Sequence, residues 1–189
     1  MSDIYIEKQI EKCGEFKKDV MEKKQAKKDA NGCYILEEGV IMPNFVCETN
    51  YKFKQDDKSV KNTEKDTDYL FDLYKSNKPV FINFWAIWCN PCVMELPDLQ
   101  KLYDKYKEYV DFLMINCGSK RNILLDFIEN KKFKFPVGFD IENKLSNMFS
   151  VRSIPMTLIL DKDKIIKHII IGAREEEQYE KFIKNFIEI

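Results

Sequence analysis

Two cysteines, Cys89 and Cys92, lie two residues apart in "NFWAIWCNPCVMELP", Asn83 to Pro97, just after an apolar run and just before a helix-like one. That spacing suits three chemistries: half of a metal site, a structural disulfide, or a redox pair that opens and closes. Pro91 can stand in the first turn of a helix, where its missing N–H would have no intrahelical partner, so a helix is predicted to start at the pair. A Cys89 thiol at that helix N-terminus faces unpaired backbone N–H groups and the positive end of the dipole. Both favour the thiolate, the species that attacks a disulfide. Cys92, one turn deeper on the same face, is placed to resolve the mixed disulfide that results. A cysteine metal site would need a second matching pair. The remaining cysteines, Cys13, Cys33, Cys47 and Cys117, form no second C-x-x-C, and His168 is the only histidine. The redox pair is favoured, with the half metal site and the inert disulfide as the lesser alternatives.

The elements that must hold the pair are readable around it. "PVFINFWA" (Pro79 to Ala86) and "VDFLMIN" (Val110 to Asn116) are continuous apolar runs of the kind that form strands buried on both faces. Pro91 to about Tyr109 carries Leu96, Leu99, Leu102, Tyr103 and Tyr106 at helix spacing, and Pro97 is expected to kink that helix after its first turns. "DYLFDLYKSNK" suggests a short helix, "NILLDFIENKK" another, and "ENKLSNMFS" a third after "FPVGFD". "PMTLILD" and "KIIKHIIIG", parted by the turn residues of "DKDK", read as a hairpin, and Glu175 to Ile187 as a closing amphipathic helix. Strands alternating with helices and then a hairpin predict an α/β fold with a central mixed β-sheet flanked by helices.

Upstream, residues 1–31 read as one charged amphipathic helix with a stripe of Ile6, Ile10, Cys13, Phe16 and Val20, docked on its own domain. "ANGCY" breaks it with an Asn-Gly turn signal, giving an N-terminal helix over 1–32 and a main domain over 33–189. Short β-type runs follow in 33–54, then a polar loop or insertion from Lys54 to Asp68. Charge is balanced, 31 basic against 32 acidic residues, which gives no support to nucleic-acid binding. No apolar stretch approaches the roughly 18 residues of a membrane span. The N-terminus lacks the apolar core of a signal peptide. The protein is therefore expected either to stay in the cytoplasm or to have an export segment absent from this sequence.

"FWAIWCNPCVMELP" resembles the active-site segment of the thioredoxin superfamily, and more narrowly of the TlpA/ResA-like thiol-disulfide oxidoreductases. Those pair W-C-x-P-C with a glutamate three residues after the second cysteine and then a proline, positions filled here by Glu95 and Pro97. "FSVRSIPMTLILDKDKIIKHIIIG" resembles a second segment of that family and places Pro155 at its cis-proline. The resemblance spans about residues 40–189. It departs at Met156, where threonine is usual, at Lys164 in place of the turn glycine, and in the polar segment Lys54–Asp68.

The resemblance implies a thioredoxin-like fold and a disulfide oxidoreductase. It gives Glu95 the role of proton acceptor beside the cysteines, against the plainer role of a solvated helix carboxylate. Its carboxyl is expected to titrate upward, because burial and a nearby thiolate both disfavour the charged form. Asn83 fills the slot where thioredoxins carry a buried aspartate, and a satisfied strand-end amide is an equally good account of it. Trp88 is expected to shield the disulfide. A cis Ile154–Pro155 bond beside Cys89 is expected to offer the Ile154 backbone to an extended substrate segment. Cys33 and Cys47 could pair across a hairpin, and Cys117 is most simply a buried apolar residue. No bound cofactor is implied. Electrons are expected to pass between protein disulfide substrates and a thiol/disulfide donor, in a monomer, with the family implying an extracytoplasmic and often membrane-anchored setting. A peroxiredoxin-related thiol peroxidase would want P-x-x-x-T-x-x-C, which this sequence lacks. A metal-binding chaperone on the same fold would want C-x-x-x-C plus histidine.

Overall fold

The structure is a computed structural model that describes residues 24–51 and 69–187. Its strands are β1 (Lys27–Lys28), β2 (Tyr34–Ile35), β3 (Val46–Thr49), β4 (Tyr69–Asp72), β5 (Val80–Trp85), β6 (Asp111–Cys117), β7 (Val137–Asp140), β8 (Met156–Leu160) and β9 (Ile166–Ile171). Its helices are α1 (Asn90–Tyr106), α2 (Arg121–Lys131), α3 (Lys144–Met148) and α4 (Glu176–Lys184). Seven strands form one sheet in the order β4-β3-β7-β6-β5-β8-β9. The central β5, β6 and β7 run parallel, and β3, β4, β8 and β9 join antiparallel. The mixed sheet flanked by helices is as the apolar runs predict.

β5 lies at the centre with every residue buried, because its alternate side chains enter two different cores. Phe81 and Trp85 pack under α1, α2 and α4 with Leu96, Leu99, Leu124 and Tyr179. Val80, Ile82 and Phe84 pack on the opposite face with Met42, Phe45 and Phe149. A strand wetted on neither face has no need of polar alternation, so it reads as a continuous apolar run. The helix α1 continues through Pro97 to Tyr106, and Glu180 ties α4 to it through Lys105 and Tyr106.

Two expected helices are corrected. Residues 24–31 are not helical: Lys27 and Lys28 pair with Ile35 and Tyr34. Asp29 turns the chain there, its carboxylate accepting the Asn31 and Cys33 N–H groups, with Gly32 at φ 81°. Residues 1–23 of the expected helix, including Cys13, and the whole of the polar segment Lys54–Asp68 lie outside the described residues. The helix expected in "DYLFDLYKSNK" is instead β4 followed by a 3₁₀ turn, Leu73–Lys75. Pairing of Phe71 with Cys47 on β3 outweighs the local helical pattern, and the Asp72 carboxylate caps the turn by accepting the Tyr74 N–H at 3.1 Å.

The segment before β3 is fastened to the far end of the hairpin. Gly39 N–H donates to the Ile166 carbonyl, Ile166 N–H to that of Val40, and Met42 N–H to that of Lys164. Lys164 holds the left-handed conformation, φ 63°, that a turn glycine would take without strain. Its ammonium is buried and donates to the Lys78 and Lys162 carbonyls, and burial pushes its pKa down to about 8. Among the described residues no helix is long and apolar enough to cross a membrane.

Candidate active site

The site is built where β5 ends and α1 begins. Cys89 is the N-cap of α1, its sulfur facing the Cys92 backbone N–H at 3.3 Å, with Pro91 in the first turn. Cys89 and Cys92 are joined by a disulfide. Both are buried, Cys89 6% exposed and Cys92 fully enclosed. The peptide bond between Ile154 and Pro155 is cis, and the Cys89 sulfur lies 3.7 Å from the Ile154 carbonyl oxygen. The loop after β9 closes on the other side of the proline, Gly172 N–H donating to the Pro155 carbonyl at 2.8 Å.

Trp88 stands beside the disulfide, 74% exposed. With Ile154, Arg152, Ser153, Asn143 and Cys117 it lines a cleft of about 270 Å³. Trp88, Cys89, Cys92, Ile154 and Pro155 therefore gather at one end of the sheet. Glu95 comes with them, one helical turn after Cys92 and buried. Burial holds its carboxyl above the ordinary carboxylate value, while hydrogen bonds from the Arg174 backbone, Asn83 and Tyr179 pull the other way.

The partners of Glu95 are the part that sequence reasoning did not supply. Asn83 Nδ2 donates to Glu95 Oε1 at 3.0 Å and to Thr157 Oγ1 at 3.0 Å. The Tyr179 hydroxyl donates to Glu95 Oε2 at 3.0 Å, and the Arg174 backbone N–H to the same oxygen at 3.1 Å. Asn83 is thus tied directly to the glutamate. Tyr179 stands 84 residues from Glu95, so no spacing rule could have joined them.

The other thiols take no part. Cys33, Cys47 and Cys117 are free, so the Cys33–Cys47 bridge does not form. Cys117 lies opposite Asp140 on β7, and burial followed by that carboxylate pushes its thiol up to about 12. The same two causes raise Cys47 further. Among the described residues no three of His, Cys, Asp and Glu are placed to hold a metal.

Comparison with known proteins agrees with this arrangement. The model of the AhpC/TSA family matches residues 51–169. The thiol-disulfide oxidoreductase ResA of Bacillus cereus is 35% identical over 108 residues, 57% of this chain and 62% of that protein. The chain thus spans less than two thirds of that relative's length. Among solved structures, StoA from Bacillus subtilis is similar at a TM-score of 0.56 and 25% identity, over 61% of this chain and 89% of that one. A DsbE-type thiol:disulfide interchange protein from Chlorobium tepidum aligns at a TM-score of 0.65 over 79% of this chain and 97% of its own, which at 22% identity speaks for the thioredoxin-like fold alone. By its family match and by the cysteine pair that this match contains, the chain belongs to the AhpC/TSA family and is similar within it to the ResA-type proteins.

Proposed function

We propose that the chain is a thiol-disulfide oxidoreductase that reduces disulfides in partner proteins. The observation that carries this reading is the Cys89–Cys92 pair capping α1 against the cis Ile154–Pro155 bond. In the reduced protein the Cys89 thiolate attacks one sulfur of a partner disulfide. A Cys89–partner bond forms, and the partner's other sulfur leaves as thiolate. Cys92 gives its proton to Glu95 and attacks the Cys89 sulfur. The Cys89–Cys92 bond forms, the bond to the partner breaks, and a second partner thiolate leaves. The pair loses two electrons and the partner gains them; Glu95 then releases its proton to the departing thiolate or to water. A thiol donor of lower potential restores the pair by the reverse sequence. Ile154 offers its backbone to the substrate segment and Trp88 covers the sulfurs. Neither Asn90 nor Pro91 adds positive charge to over-stabilise the thiolate, which supports a reductant over a strong oxidant.

Insulin reduction with dithiothreitol as donor, run beside peroxide consumption and a metal titration, tests the reading. Catalysed insulin precipitation that is lost in Cys89→Ala supports it. Peroxide turnover or stoichiometric metal binding without insulin reduction would overturn it.

A further inference from the structure

Four buried side chains from four elements close a ring: Glu95 from α1, Asn83 from β5, Thr157 from β8 and Tyr179 from α4. The bonds are Asn83 to Glu95, Asn83 to Thr157 and Tyr179 to Glu95, each 3.0 Å, with Thr157 Oγ1 and the Tyr179 oxygen 3.1 Å apart. Resting on the thiol-disulfide reading above, we propose that Tyr179 is a positioning residue for Glu95, serving its carboxyl in both protonation states through Thr157.

The donor count supports this. An ionised Glu95 accepts from Asn83 Nδ2 on one oxygen and from Tyr179 and the Arg174 backbone on the other. Because the phenol has one proton and gives it to the carboxylate, the Thr157 hydroxyl must donate to the phenol oxygen. When Glu95 takes a proton on Oε2, that proton points at the phenol oxygen, and the phenol proton swings to Thr157 Oγ1. The displaced hydroxyl proton then needs an acceptor. Asn83 Oδ1 is buried and has no hydrogen-bond partner in this arrangement, so it receives that proton only once the amide or the hydroxyl has turned toward it. Apart from the one proton that Glu95 takes up, the rearrangement neither gains nor loses protons; the Tyr179–Glu95 and Tyr179–Thr157 bonds reverse their direction, while Asn83 Nδ2 donates to Glu95 and Thr157 throughout. A phenylalanine could neither donate to the carboxylate nor accept from the acid.

The surroundings leave the glutamate to this ring. Around it stand the neutral Asn83, Thr157 and Tyr179, and the cation acting on it among the described residues is Arg174, from the loop between β9 and α4. Cys92, one turn before it on α1, is held in the disulfide. Tyr179 itself stays neutral, since burial and Glu95 raise its phenol far above the ordinary value. Tyr179 and Arg174 both lie beyond the residues that the family model matches.

Tyr179→Phe keeps the ring that packs edge-on against Phe81. The readouts are the Glu95 carboxyl midpoint by ¹³C NMR in the oxidised protein, and the pH profile of disulfide exchange. The phenol's bond to the carboxylate is charge-assisted and stronger than the one it accepts from the acid, so losing both should raise the Glu95 midpoint by about one pH unit and shift the acid limb of the profile equally. Thr157→Val should shift both in the same direction by less. On a Glu95→Gln background, adding Tyr179→Phe should leave the profile unmoved. An unchanged Glu95 midpoint in Tyr179→Phe would overturn the proposal and leave Tyr179 as a core aromatic, as would an equal profile shift without Glu95. Should Tyr179→Phe fail to fold, Thr157→Val decides by the same midpoint. The oxidised-state titration needs no turnover, so a wild type inactive toward disulfides would sink the exchange reading and leave this inference standing on its own measurement.

Discussion

The protein holds two sets of thiols in two settings, and the contrast shows what makes a cysteine reactive. Cys89 and Cys92 open a helix, and the Cys89 sulfur faces the Cys92 backbone N–H there. Cys47 and Cys117 lie on β3 and β6 and face the second core, where Asp140 adds its charge to the cost of burial. Asp140 is itself committed to accepting the Leu145 and Ser146 N–H groups at the start of α3. Burial alone does not separate the sets, since all four are buried. The sign of the surrounding field does.

The largest effect expected from this contrast is on turnover. Cys89→Ala should lower insulin reduction by on the order of 10³-fold or more, while Cys47→Ala and Cys117→Ala should stay within a few-fold of wild type. Cys92→Ala should instead accumulate mixed disulfides with partners. Loss of activity in Cys117→Ala equal to that in Cys89→Ala would break the division.

Alkylation is the next sharpest probe. In the reduced protein near pH 7, iodoacetamide should reach Cys89 first and Cys92 slowly, as mapped by mass spectrometry. Cys117, with its thiol near 12, has roughly 10³-fold less thiolate than a free cysteine at that pH and should label only on unfolding.

A third test asks whether Cys47 is packing and nothing else. A Cβ added at Gly138 would meet the Cys47 sulfur at 2.7 Å. Gly138→Ala should therefore cost about 1–3 kcal/mol in urea unfolding. The same change on a Cys47→Ala background should cost clearly less, a coupling expected of side chains in contact. Equal costs would place the sulfur elsewhere.

The smallest effect is on alkaline stability. The native state holds the Cys117 proton to about 12, against 9.0 for the unfolded thiol. Above pH 9 the unfolded chain binds fewer protons, so this contribution is fully present below pH 9 and is lost as pH rises toward 12. The slope per thiol is at most about 1.4 kcal/mol per pH unit. Cys117→Ala should flatten the fall in urea midpoint between pH 9 and 10.5, and an unchanged slope would count against the buried-thiol assignment.

How much of this was legible followed from how local its cause was. β5 and β6 declared themselves because burial on both faces removes polar residues from the run. The cysteine pair declared itself because its chemistry is that of a helix end. "DYLFDLY" misled because its apolar positions fit a helix face as well as a strand, and only pairing with Val46–Thr49 decides between them. The Asn-Gly signal marked a turn correctly, but a turn also joins two strands, and the paired residues before it were read as helix. The environment of Glu95 was the least legible part. Asn83, Thr157, Arg174 and Tyr179 meet it from separate elements, and no period or motif along the chain encodes such a meeting.

The clasp between residues 39–42 and 164–166 sets a timetable for synthesis. Val40 and Met42 bury their side chains against Ile166 and its neighbours, so their cover is made last. A ribosome adding roughly 5–20 residues per second leaves these two apolar side chains waiting about 6–25 s for it. Closing so long a loop also delays the contact until the intervening sheet has shortened it. The N-terminal segment therefore cannot settle before β9 is made, and until then Val40 and Met42 are surfaces that a chaperone would find exposed.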